Sequence, residues 1–114
     1  ERELRFRDTI HLPFHQVGMP SNMPSIYLDE KDVPEYRDKD WAVTKPEWVG
    51  SKVILNKMTK IIEDDKKAAF LIDAARYNAD GSLMQTFNAI FTVENRNGDW
   101  RLISRNPFNI RKSE

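Results

Sequence analysis

The stretch "AFLIDAARYNADGSLMQTFNAIF", residues 69–91, decides how the chain folds. Two apolar runs flank the turn-forming "NADG", so the segment predicts a β-hairpin. Asp73 sits inside the first run, where a carboxylate is costly unless it is paired or used. Which way Asp73 points depends on the hairpin register, because a slip of one residue moves every side chain to the opposite face.

Suppose the turn sets Asp73 opposite Phe87, with Leu71 opposite Ala89 and Ala75 opposite Gln85. A second turn, at Asn97-Gly98, carries the strongest short hairpin signal. It predicts Val93 opposite Leu102, Phe91 opposite Ser104, Ala89 opposite Asn106 and Phe87 opposite Phe108. Alternation then gathers Leu71, Asp73, Tyr77, Gln85, Phe87, Phe91, Trp100, Asn106 and Phe108 on one face. That face holds most of the aromatic mass and is expected to be the inner one, with Trp100 in the core. An apolar wall with a few convergent polar groups is the form of a small-molecule pocket. Asp73 there either binds or transforms a ligand, or makes a structural hydrogen bond to Asn106 or to a backbone amide. Burial among Phe87, Phe108 and Leu71 is expected to raise its pKa toward that of a general base.

Outside the hairpin, "SKVILNKMTKII" predicts a strand at 51–60, and the next strands fall at 67–78, 82–95 and 99–110. Consecutive hairpins imply an antiparallel meander. Before residue 50 the chain is irregular and holds every proline except Pro107. There "ERELRFRDTI" permits a short helix, "SIYLD" a short strand, and "EKDVPEYRDKDW" a short helix with Pro34 in its first turn. "HLPFHQVGMPSNMPS" reads as loop with one short extended piece. Trp41 and Trp48 lie in a linker, and Trp41 is taken as a ligand-binding residue.

Composition narrows the function. A chain of 114 residues supports one domain, 1–114. Lys+Arg and Asp+Glu both number 18, which argues against nucleic acid or an anionic membrane as the main partner. The chain has no cysteine; this fits a reducing, cytoplasmic compartment and leaves an extracellular one open. No apolar stretch approaches a membrane span. The chain opens at Glu1 rather than Met, which leaves room for a removed leader. No cofactor is expected: there is no Gly-rich phosphate loop, and Pro13 between His11 and His15 argues against the helical spacing a metal pair needs.

The ordered pieces Arg76-Tyr77, Asp80-Gly81 and Gly98-Asp99-Trp100 with Leu102 resemble the C-terminal half of the nuclear transport factor 2-like, or SnoaL-like, superfamily. The likeness covers about residues 40–108. It implies an α+β fold, a strongly curved antiparallel sheet forming a cone around short N-terminal helices. The usual long first helix is not matched here; it lies upstream, or the pocket is more open, or a partner covers it. Catalytic members move protons with an inward Asp or an Asp/His/Tyr group. Asp73 and Tyr77 match that pattern, and "LPFHQV" is the nearest match to a Phe-Pro-His run that implies His15. Phe87, Asn106, Phe108 and Gln85 would line the ligand. The resemblance therefore implies isomerase, dehydratase or lyase chemistry on a small organic molecule, with a non-catalytic ligand-binding or dimerisation module as the alternative. A homodimer is expected through the outer sheet face. In this register that face carries Phe70, Ile72, Ile90 and Ile103, interleaved with Arg76, Thr86, Asn88, Arg101 and Arg105. The competing cover for that face is the C-terminal "NIRKSE".

Overall fold

A computed structural model describes residues 6–17, 25–33, 42 and 45–113. The strands are β1 (Ile10–Gln16), β2 (Ser25–Tyr27), β3 (Lys52–Glu63), β4 (Lys67–Tyr77), β5 (Leu83–Arg96) and β6 (Asp99–Lys112). They form a single six-stranded sheet in the order β2-β1-β6-β5-β4-β3. β1 runs parallel to β6 and the other neighbours are antiparallel, so the sheet is mixed.

This corrects the expected α+β cone around N-terminal helices. Among the described residues no helix reaches 7 residues, and the 3-10 turns are short, the longest being Phe6–Thr9 with 4 residues. Phe6–Thr9 takes a 3-10 turn, and the β-branched Thr9 and Ile10 favour extended chain after it. The chain gains more by running on as β1, which docks on β6. The "HLPF" loop is therefore a strand. Its one irregularity, between Ile10 and His15, brackets Pro13, which has no N–H for a ladder. Of the helix expected at 30–41, Glu30–Asp32 forms a 3-10 turn; residues 34–41 lie outside the described residues.

The four long strands follow the expected meander, but their faces differ. Tyr77 pairs with Leu83, as the expected register requires at the mouth of the hairpin. The next pair is Arg76 with Gln85, leaving Met84 as an extra residue. That bulge slips the rest of the hairpin by one position. Asp73 stands opposite Asn88, and Ile72 opposite Ala89. A second irregularity follows Val93–Leu102, where Ile103 is extra and Phe91 meets Arg105 instead of Ser104. A third brackets Asn109, whose φ of 54° is the left-handed conformation that Asn tolerates.

The corrected alternation puts Ile72, Ala74 and Ala89 on the core side, packed with Phe70, Phe87 and Phe91. A second cluster of Phe6, Ile10, Phe14 and Val33 lies over the β1 end with Leu12, Tyr27 and Leu102. Phe14 meets Phe6 edge-on at 5.9 Å and stacks on Tyr27 at 6.1 Å. The Arg105 guanidinium lies 5.2 Å from the Phe91 ring and 5.9 Å from Phe6, so it joins the two clusters. Trp100, expected in the core, is 48% exposed because it pairs with Asn95 at the hairpin tip, outside both clusters. The tail residues Asn109–Lys112 continue β6 instead of covering a sheet face.

Phe14 is fully buried between the 3-10 turn, β2 and the sheet. Phe14→Ala should lower stability by about 3–5 kcal/mol, measured as a fall in the urea midpoint at unchanged slope.

Candidate functional site

Asp73 is exposed, on the face opposite Ile72. Its row across the sheet reads Lys57, Asp73, Asn88, Phe108. Phe108 is 44% exposed, and Asn88 accepts a hydrogen bond from Asn109 Nδ2 at 3.0 Å. Asn106, half-buried, pairs with Ile90 on this same face. Tyr77 ends β4, half-buried between Lys52 and Leu83.

His15 is exposed and pairs with Ser104, in the row of Thr92 and Ala69. It therefore lies three strand spacings across and four residues along from Asp73, roughly 20 Å away. These two groups are not brought within hydrogen-bond reach, which a proton-transfer pair needs. His11 makes the tertiary contact instead: its Nε2 donates to the Asp99 carbonyl at 2.8 Å.

Gln85 and Phe87 fall on the core side. The bulge thus divides the expected pocket between two faces: Asp73, Asn106 and Phe108 on one, Gln85 and Phe87 on the other. Trp41 lies outside the described residues. Among the described residues, no three His, Cys, Asp or Glu side chains gather as a metal site, and no helix is long and apolar enough to cross a membrane.

Arg76, expected on the outer face, is a buried group that the residue pattern does not signal. It is 6% exposed on the core side, directly across from Gln85, also 6% exposed. Its Nη1 donates to Ser51 Oγ at 2.8 Å, and its guanidinium lies 4.5 Å from the centre of the Trp48 ring. Lys45 Nζ is also 4.5 Å from the Trp48 ring. Trp48 and Ser51 belong to the turn that leads into β3, so Arg76 fastens that turn to β4. The parity of Arg76 follows from the bulge at Met84, for which the sequence carries no turn residue as a signal.

A cleft of about 280 Å³ opens beside β1, lined by Arg7, Ile10, His11, Glu30, Arg96 and Arg101 among others. Its cations are already matched. Arg7 pairs with Glu30 at 2.9 Å, Arg101 with Asp99 at 2.9 Å, and Arg96 with Glu94. Arg96 also donates to the Leu12 carbonyl at 2.8 Å. The Arg96 guanidinium holds the Glu94 carboxyl below its usual range. With its charges neutralised locally, the cleft offers an anion little net attraction.

No protein-family model matches this chain, and no curated protein matches it. The described residues define a mixed-sheet domain with an exposed, chemically mixed face and a buried arginine on the other side.

Arg76→Met should cost about 2–4 kcal/mol, because it removes a buried, hydrogen-bonded guanidinium from its Ser51 and Trp48 contacts. Lys45→Ala, on the exposed side of the same ring, should stay within about 0.5 kcal/mol. Chemical denaturation of the two variants checks the contrast.

Proposed function

We propose that this chain is a non-catalytic dimerisation module, in which a second copy docks on the sheet face that carries Asp73. The observation that supports it most is the chemistry of that face across β3 to β6. Leu71 and Phe108 are both 44% exposed, with half-buried Ile90 between them, and Ile54, 52% exposed, lies on the same face beyond the Lys57–Asp73 row. Lys57, Asp73, Asn88, Asn106 and Thr86 interleave with these apolar groups. A contiguous apolar patch of this kind usually marks a partner surface, and a mixed one suits an isologous two-fold contact.

Two features favour a second copy over another partner. The net charge is zero, so two chains do not repel each other through net charge. Lys57 and Asp73 are cross-strand neighbours, so the face carries both signs and can match itself. The outer face named from the sequence is corrected accordingly. Phe70, Ile72, Arg76 and Arg105 belong to the core side, while Thr86, Asn88 and Ile90 remain outside with Leu71, Asp73 and Phe108.

Acid/base chemistry on a small organic molecule is the weaker reading. It calls for Asp73 and His15 in one enclosed cavity, and both are exposed and far apart. An open face does not exclude water from a reacting group.

Sedimentation equilibrium tests the proposal. The wild-type chain should sediment as a dimer and Leu71→Glu as a monomer. Met58→Glu, on the same end of the sheet but opposite Ile72 on the core side, should leave the dimer intact. A monomeric wild-type chain, or a dimer that tolerates Leu71→Glu, overturns it.

A further inference from the structure

The β5–β6 turn carries a reactive pair that the fold holds in check. Asn97 has a φ of 56° and Gly98 a φ of 88°, positive at both positions as a type I′ turn requires. Both residues are exposed, and a Cβ built on Gly98 would meet nothing within 4 Å. Asn followed by Gly is the dipeptide in which the side-chain amide is most easily attacked by the next backbone nitrogen, because glycine puts no side chain in the path. Here that nitrogen is engaged: Gly98 N donates to Asn95 Oδ1 at 2.7 Å. The bond holds the proton on the nitrogen, which must lose it before it can attack Asn97 Cγ.

We infer that Asn97 is a spontaneous deamidation site whose rate is set by the hydrogen bond from the Gly98 amide to Asn95. In the reaction Gly98 N loses its proton to solvent and bonds to Asn97 Cγ. The Cγ–Nδ2 bond breaks and the nitrogen leaves as ammonia, closing a succinimide. Water then opens the ring. Cleavage at Cγ gives aspartate, and cleavage at the backbone carbonyl gives isoaspartate, with the chain rerouted through the side chain. Water is the only co-reactant. The isoaspartyl product lengthens a two-residue turn that sets the Arg96–Asp99 pair. It also places a new carboxylate beside Asp99, whose carbonyl holds His11 and whose side chain holds Arg101. Ageing at this turn therefore loosens the attachment of β1 at the cleft.

The other hairpin supplies an internal control. Asp80-Gly81 could form the same ring, but Gly81 N donates to the Asn78 carbonyl at 2.9 Å. Asp80 Oδ1 accepts from Ser82 Oγ at 2.6 Å and from Ser82 N at 2.9 Å. These bonds favour the ionised carboxylate, which is a poor electrophile.

The test holds the purified full chain at mildly alkaline pH and follows Asn97 by peptide mapping and mass spectrometry. Conversion should be found at Asn97 and not at Asp80. Asn95→Ala should convert about fivefold faster, the factor equivalent to about 1 kcal/mol for one hydrogen bond. Asn95→Asp, which keeps an acceptor oxygen, should convert at the wild-type rate. Equal rates for Asn95→Ala and wild type, or an Asn95→Asp rate as high as that of Asn95→Ala, overturn the inference. If Asn95→Ala fails to fold, the wild-type chain in urea takes its place: acceleration there supports the inference, and an unchanged rate overturns it.

Discussion

The pleat of a β-strand leaves no intermediate position: a side chain faces the core or it faces away. In this protein that choice is made by Met84, the residue left unpaired between Arg76–Gln85 and Tyr77–Leu83. On the turn side of Met84 the strands keep the pairing that the turn dictates. Beyond it, every residue of β4 from Arg76 to Lys67 faces a partner one position later. Ile72 and Ala74 are buried as a result, and Asp73 is returned to water. The alternative would bury a carboxylate among aromatic rings and expose Ile72, and both changes are unfavourable.

The remaining irregularities act in the same direction. The extra residue Ile103 brings Arg105 beside Phe91, where its guanidinium spans the rings of the two core clusters. The left-handed Asn109 carries β6 through a bulge and hydrogen-bonds Asn88 next to Asp73. Bulges bend and twist the strand that contains them, so these positions also shape the sheet on which β1 docks. The long edge strand β3 gains least from this core: all 12 of its residues are exposed.

The two sheet faces are consequently suited to different tasks. The core side places Arg76 and Gln85 together and uses Arg76 to bind the Trp48–Ser51 turn, a structural role with specific partners. The other face mixes exposed apolar groups with cross-strand pairs of opposite charge, Lys57 with Asp73 among them. Asp73 is an exposed surface group of that face.

Elements whose causes are local could be read directly from the residues. The Asn97-Gly98 turn, the "NADG" turn and the four long strands were legible because positive-φ turn residues and β-branched apolar runs act over a few positions. A polar, apolar-interleaved outer face was legible in kind, and Thr86, Asn88 and Ile90 were placed on it. Tertiary structure alone decided the rest. "HLPF" is a strand because β6 offers it a parallel ladder, a partner about ninety residues away in sequence. Asp73, Gln85 and Phe87 were expected in one pocket and are divided between two faces because a bulge costs one unpaired residue, while the burial it permits extends along the whole strand. Met84 has no glycine or special φ to announce that bulge; the packing of Ile72, Ala74 and Ala89 against Phe70, Phe87 and Phe91 selects it.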